Sequence, residues 1–542
     1  MQSLKADMIV SGGPIYTALG QAKAEAVAIH AGKIVAAGKA ADLDGLAGSG
    51  TRRIDLRGRS AIPAFNDCHL HTISLGLSLS EVNLSPSAVR NIDDMIAAIR
   101  AQAAKMKPGE WILGGRYDHF ELAEKRHPSM QELDQAAPDN PVYIKRRCGH
   151  VGVGNSRAFA LAKITDASPD PAGGHIEKRD GKLTGQLQEN AQNLVFSIVP
   201  DYSMDELIDA IEVAGKHMLE RGVASVMDAG IGMRQGVDDM AAFQLAYRDG
   251  RLPVRTYLAV LGGPDGIIDE CASVGMITGV GDDYLKVGPA KLFADGSAGG
   301  RTAAMTTPYL NDGDNKGLFI YSDNELNAMV NEYYDMGYQL ATHAIGDAAI
   351  EQVLNAYENA ISTGRRPPQR HRIEHCGFIH PHQNERMQRL GIIPVPQPCF
   401  FRHFSDLYAS VLGDEWTNRS YPLRTWVEMG LRPASSTDTP VCPPDALPNL
   451  ASILDRRGPS GKVYGADQTL DIDTAIETMT YNGAFAENSE HIKGRLQPGQ
   501  LADVTIVDRD IFGLSADEIA AANVDFTIVG GAVAYDRLGE IA

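Results

Sequence analysis

No basic stretch followed by an apolar core opens this sequence, which begins Met1-Gln-Ser-Leu-Lys-Ala-Asp7. Nor does any apolar run approach the ~18 residues that cross a bilayer. There is no CxxC pair. The six cysteines, at 68, 148, 271, 376, 399 and 442, are scattered, which in so long a chain fits reduced thiols and not a disulfide framework. There is no excess of positive charge: the formal net charge is −19, which disfavours nucleic acid and anionic membrane as partners. Solenoid repeats and low-complexity segments are also missing. Together these absences lead to the expectation of a soluble cytoplasmic protein acting on a small molecule. With 44% hydrophobic and 22% charged residues among 542, the composition excludes extended disorder. The chain is long enough for two to four domains, or for one large barrel with additions.

The two ends share a texture that the middle lacks. Asp7-Met-Ile-Val-Ser-Gly-Gly13, residues 26–38, Ala502-Asp-Val-Thr-Ile-Val-Asp508 and residues 526–535 are short β runs with glycine turns. They predict one small sheet domain, a β-sandwich built from residues 1–60 and 486–542. From about residue 203 the pattern alternates. Ser203-x-x-Glu206 and Ser322-x-x-Glu325 are capping boxes opening helical periodicity, and short apolar strands follow each helical stretch. Counted from residue 61, candidate strands end near 71, 229, 260, 295, 345, 376, 398 and 438. Eight βα units imply a closed (β/α)8, TIM-like barrel over residues 61–485. Strands one and two lie roughly 150 residues apart, too far for one crossover. A structured insertion over about 85–200 is therefore expected, leaving the barrel after strand one.

Polar residues punctuate the strand ends. His69 and His71, two apart, leave one strand on the same face. Lys291 lies on strand four, His343 on strand five, His375 on strand six and Asp438 on strand eight. In a barrel these positions converge on one mouth. Neutral imidazoles and a carboxylate suit zinc or a similar divalent ion. An ammonium repels a cation, so Lys291 either stays an amine beside a single ion or, carboxylated by CO2, becomes an anionic donor able to bridge two. Asp228 and Asp295, also at strand ends, are expected to bond locally, and Asp347 to cap the helix after strand five.

The motifs Ile62-Pro-Ala-Phe-Asn-Asp-Cys-His-Leu-His71, Lys291-Leu-Phe-Ala-Asp-Gly-Ser-Ala-Gly-Gly-Arg-Thr302, Thr342-His-Ala-Ile-Gly-Asp347, Arg372-Ile-Glu-His375, Ser436-Thr-Asp-Thr-Pro-Val441 and residues 494–504 together resemble the metal-dependent amidohydrolase superfamily. The resemblance is to its YtcJ-like branch, which includes N-substituted formamide deformylases. It implies a metal site of His69, His71, Lys291, His343, His375 and Asp438 holding one or two divalent ions, zinc first among them. Lys291 is the position carboxylated in the family, and Asp438 shuttles the proton of the attacking water. It further implies hydrolysis of a C–N amide-type bond in an N-substituted formamide, N-acyl amine or cyclic amide, and a homodimer at the level of a family trait. Ester or carbamate hydrolysis, ring deamination, and isomerase or decarboxylase chemistry remain open on the same constellation. His150 in the insertion, and Phe400 and Phe401 in what reads as a loop after strand seven, are the candidate substrate contacts.

Overall fold

The computed structural model describes residues 4–540 apart from 87, 147–150, 172 and 368. Seven parallel strands form the barrel wall in the order Phe65–Leu70, Val223–Ile231, Arg255–Leu261, Leu285–Phe293, Leu340–Ala344, Arg372–His375 and Ile393–Val395. Val223–Ile231 is buried along its whole length, as expected of a parallel strand covered on both faces. The expected eighth strand forms no ladder. Residues 434–439 instead pass, outside any ladder, through the gap between strands seven and one. Ala434 N and Ser436 N donate to the carbonyls of Pro394 and Pro396 (3.1 and 3.0 Å), Asp438 N donates to His69 O (2.8 Å), and His71 N donates to Thr439 O (2.9 Å). Pro433 has no N–H to give, and Ser435 N and Thr437 N are drawn off to Thr478 O and the Asp67 carboxylate. The barrel thus closes through a sparsely bonded seam.

The helices between strands start and stop where side-chain chemistry dictates. Asp323–Met336 is opened by the reciprocal Ser322–Glu325 capping box and ended by left-handed Gly337. Pro381–Leu390 has proline in its first turn and Gly391 in the left-handed region after it. Residues 399–404, which read as loop, begin the helix Cys399–Leu412, with Pro398 as its N-cap. Asp347 is not a side-chain cap. It takes hydrogen bonds from Thr306 N and His380 Nε2 (2.9 and 3.0 Å), and Gly346 occupies the cap position.

The terminal β-sandwich is a continuous eight-stranded sheet, ordered Ala532–Asp536, Val524–Val529, Val504–Val507, Ser60–Pro63, Met8–Ile15, Ala24–His30 and Lys33–Gly38, with Arg52–Asp55 also on Met8–Ile15. Alternate residues from both termini, among them Val10, Val27, Ile29, Val504, Ile506 and Phe526, share one apolar cluster. This sheet is tied to the barrel by a buried Arg255–Asp503 pair (2.8 Å) and by Thr505 and Thr527 hydroxyls donating to Gly222 O and Leu219 O (2.7 and 2.6 Å).

Residues 74–210 form a separate compact unit. Its six-stranded sheet runs Gly174–Arg179, Lys182–Glu189, Val151–Gly154, Val142–Arg146, Ile112–Tyr117 and Val82–Asn83. The helices Ile92–Ala103 and Met130–Ala136 pack on it through Met95, Ile99 and Leu133. No helix among the described residues is long and apolar enough to cross a membrane, and the five described cysteines are free and buried.

Candidate metal centre

His69 sits inside strand one, almost wholly buried. Its Nδ1 faces the Glu374 carboxylate. Glu374 in turn accepts from Arg372 Nε and Nη2 (2.6 and 3.0 Å), and Nη2 also donates to Cys68 O (2.6 Å). With Nδ1 engaged, Nε2 is left pointing the other way, 3.6 Å from Asp438 Oδ1. His375 repeats the arrangement. Its Nδ1 lies 2.7 Å from Gln397 Oε1, and the Gln397 amide donates to Val395 O and Ser436 Oγ, both at 3.0 Å. That network turns the amide oxygen toward the imidazole, so Nδ1 carries the proton and Nε2 the lone pair. One donor atom from each of His69, His375 and Asp438 can be chosen so that all three lie within 4.8 Å of one another.

The other predicted residues surround this trio. His71 Nε2 lies 3.4 Å from Asp438 Oδ1. The His343 ring is 4.4 Å from that of His375, centroid to centroid, and its Nε2 lies 3.0 Å from Gly296 O. A donating Nε2–H leaves Nδ1 as the free donor. Lys291 is buried, with Nζ 4.7 Å over the Phe293 ring and no hydrogen-bond partner among the described residues. Asp228 and Asp295 bond locally. The first accepts from Thr72 N and Gly230 N, and the second from Ala304, Ile345 and Gly346 N.

Burial controls the protonation states. It pushes His69 and His375 well below the usual imidazole range, with Lys291 and His343 respectively adding to the effect. Both are therefore neutral, the form that donates to a metal. Burial also lowers Lys291 to about 8. For Asp438 burial works upward, but the hydrogen bond from His71 and the imidazoles of His69 and His375 outweigh it and hold the carboxyl well below the carboxylate range. Neutral imidazoles with lone pairs turned inward, an ionised carboxylate and a buried amine without a partner form a donor set that fits a divalent cation. The backbone is strained at two of these positions: His375 has φ +66° and Asp438 φ +59°, at about 1–3 kcal/mol each for non-glycine residues.

Arg372, Glu374, Gln397 and Asp67 lie outside the predicted ligand set, yet they support the centre. Asp67 accepts from Thr437 N (3.1 Å) and Thr437 Oγ1, and burial raises its carboxyl to about 7. The alternation of Arg372 and Glu374 along one strand was the available clue, since residues two apart share a face.

Phe400 presents its ring nearly parallel to that of His375, at 6.3 Å. Phe401 is covered by Arg456, whose guanidinium lies 3.9 Å over the ring, and by Tyr421. His150 lies outside the described residues.

Against known proteins the chain is similar, along nearly its whole length, to YtcJ of Bacillus subtilis strain 168, with 29% identity over 538 residues covering 97% of this chain and 99% of the relative. It is 27% identical to the N-substituted formamide deformylase of Arthrobacter pascens, over 95% and 96% of the two chains. Among solved structures, a metal-dependent hydrolase from Pyrococcus horikoshii superposes with a TM-score of 0.76 at 29% identity, covering 94% of this chain and 99% of that one. The amidohydrolase family profile matches residues 52–535, and the chain belongs to that family.

Proposed function

We propose that this hydrolase cleaves a C–N amide-type bond of a small organic molecule, an N-substituted formamide, N-acyl amine or cyclic amide. The observation that carries the reading is the trio His69, His375 and Asp438, its imidazole lone pairs turned toward one ionised carboxylate. The formamide deformylase similarity supports the bond type.

His69, His71, His343, His375 and Asp438 would hold a divalent ion, zinc in this reading. Lys291 would join them once its amine has added to CO2, forming the N–C bond of a carbamate and releasing a proton. Its lowered pKa favours the neutral amine that this addition needs. When bound, such an ion polarises the scissile carbonyl and acidifies water. Asp438 takes the proton of the attacking water on its carboxylate and passes it to the leaving nitrogen. Glu374 and Gln397 keep the two buried imidazoles in the tautomer that faces the ion. Phe400 supplies an apolar wall against the substrate.

The test is turnover of a panel of N-formyl, N-acyl, carbamate and ester substrates by purified protein, with chelation and then zinc or manganese add-back. Metal-restored cleavage confined to amides is the expected outcome. Metal-loaded protein that leaves every amide intact refutes the reading and directs attention to ring deamination, isomerisation or decarboxylation.

A further inference from the structure

The strand Val223–Ile231 runs out into a short turn, residues 232–236, that leads to the helix Val237–Arg248. One carboxylate holds this turn. Asp239, itself buried, accepts from Gly232 N and Arg234 N (both 3.0 Å) and from Gln235 N (3.1 Å), while Met233 N donates to Gly230 O (3.1 Å). Every backbone N–H from 232 to 235 is thereby satisfied. Gly232 has φ +102°, and a Cβ there would run into the Ile267 side chain at 2.8 Å. The turn is fixed from beneath although it lies at the surface.

What it presents is Met233, which is 50% exposed. An exposed apolar residue is ordinary by itself, but the location of this one is specific. A Cβ built on Gly230 would stand 2.0 Å from the Met233 sulfur and 3.6 Å from His71 Cε1. Sulfur and ring carbon are therefore no farther apart than the sum of those distances. Cε1 is bonded to the Nε2 that faces Asp438. Gly230 leaves open the space that the thioether fills, since any side chain at 230 would take the place of the sulfur. The rings of the centre follow one another from His71 to His69 (5.8 Å between centroids), to His375 (4.9 Å) and to Phe400 (6.3 Å). Phe400 is the apolar group at one end of this succession, and Met233 at the other.

A rigid turn, a glycine that makes room and an unbranched, polarisable side chain beside a ligand imidazole suit contact with a variable apolar group. We propose that Met233 sets substrate specificity: its thioether packs against an apolar substituent of the bound amide on the His71 side of the centre, and so favours amides in which that substituent is extended. The inference rests on the amide reading above.

The test compares pairs of amides that differ only as methyl against n-butyl, first at the nitrogen and then at the acyl carbon. In one of the two series Met233→Ala should lower the butyl-to-methyl ratio of kcat/KM about tenfold, chiefly through KM, with metal content as in wild type. Met233→Leu, which restores apolar bulk, should recover most of it. Ratios unchanged in both series overturn the proposal, whether the rates are kept or fall equally. If wild type cleaves no amide, the amide reading falls by itself, and a readout without turnover decides the role of Met233. Hydrogen peroxide transfers one oxygen to an accessible thioether, giving sulfoxide and water. In zinc-loaded wild type, hexanohydroxamate, an alkyl ligand for zinc, should slow oxidation of Met233 about fivefold by covering it, read by mass spectrometry. Met276, on the connection entering the strand Leu285–Phe293, should oxidise at its unliganded rate. Equal oxidation of Met233 with and without the hydroxamate, or equal protection of both methionines, overturns the proposal.

Discussion

Glu374→Gln exchanges a carboxylate for an amide of nearly the same shape at a position where both oxygens are in use. Oε1 accepts from Arg372 Nε, and Oε2 is shared between Arg372 Nη2 and His69 Nδ1. Glutamine has one acceptor oxygen. Whichever way its amide turns, its NH2 group faces either the guanidinium or the imidazole N–H, donor against donor. The lost charge also leaves Arg372, which is fully buried, without its paired carboxylate, its acceptors reduced to one glutamine oxygen and Cys68 O. Removing one partner of a buried ion pair costs about 3–5 kcal/mol, so the metal-free variant should lose that much in urea unfolding. Freeing the far side of a ligating imidazole weakens metal binding about 10–100-fold, read by competition with a chromophoric chelator for zinc. The two effects separate in the double variant Arg372→Met, Glu374→Leu. With both charges gone, most of the stability should return, while His69 Nδ1 still lacks an acceptor and zinc affinity stays low. Wild-type zinc affinity in Glu374→Gln, or affinity restored in the double variant, would refute the claim that Glu374 orients His69.

Asp438→Asn should retain most of its bound metal but lose about 10²–10⁴-fold in turnover, the share that a positioned proton acceptor supplies; unchanged turnover rejects its assigned role. Burial lowers the Lys291 ammonium from its usual 10.5 to about 8 in the folded protein. Between those values the unfolded chain holds a proton that the folded one has released, so stability rises with pH, by about 3 kcal/mol over the window. Metal-free wild type should show this gain relative to Lys291→Met in denaturation at pH 8 and pH 10.5, and parallel curves would contradict it. Gly346→Ala places a Cβ 1.9 Å from Ala304 O. It should cost about 1–3 kcal/mol, and an unchanged melting temperature would show that this turn yields.

How far a sequence can be read depends on what the reading needs. The barrel strands announce themselves because a strand covered on both faces must be apolar, and a histidine or lysine ending such a run stands out. His69 and His343 end such runs, whereas Lys291 lies within one and His375 follows the charged Arg372 and Glu374. Residues 432–438 read as one more strand because composition does not reveal which N–H groups find a ladder; Pro433 and the neighbouring hydroxyls decide that only in three dimensions. The helix from Cys399 was hidden by the prolines at 396 and 398, which look like loop residues, although a proline just before a helix leaves none of its hydrogen bonds unmade. Arg372 and Glu374 are harder still. A charged pair in a strand reads as a solvated face, and only barrel closure turns that face inward.

The seam of the barrel has a consequence for how the molecule is tuned. Elsewhere in the wall a side chain can be moved only by moving a hydrogen-bonded ladder, and with it two neighbouring strands. Asp438 is held on different terms, by a handful of separate bonds to Pro396, His69 and Asp67 and by the hydroxyls between them. Substitutions at Ser435 or Thr437 can therefore shift one carboxylate against fixed imidazoles by fractions of an ångström. The carboxylate to which we assign the proton is the part of the site whose position can drift through mutation, while His69, His343 and His375 stay locked in the sheet.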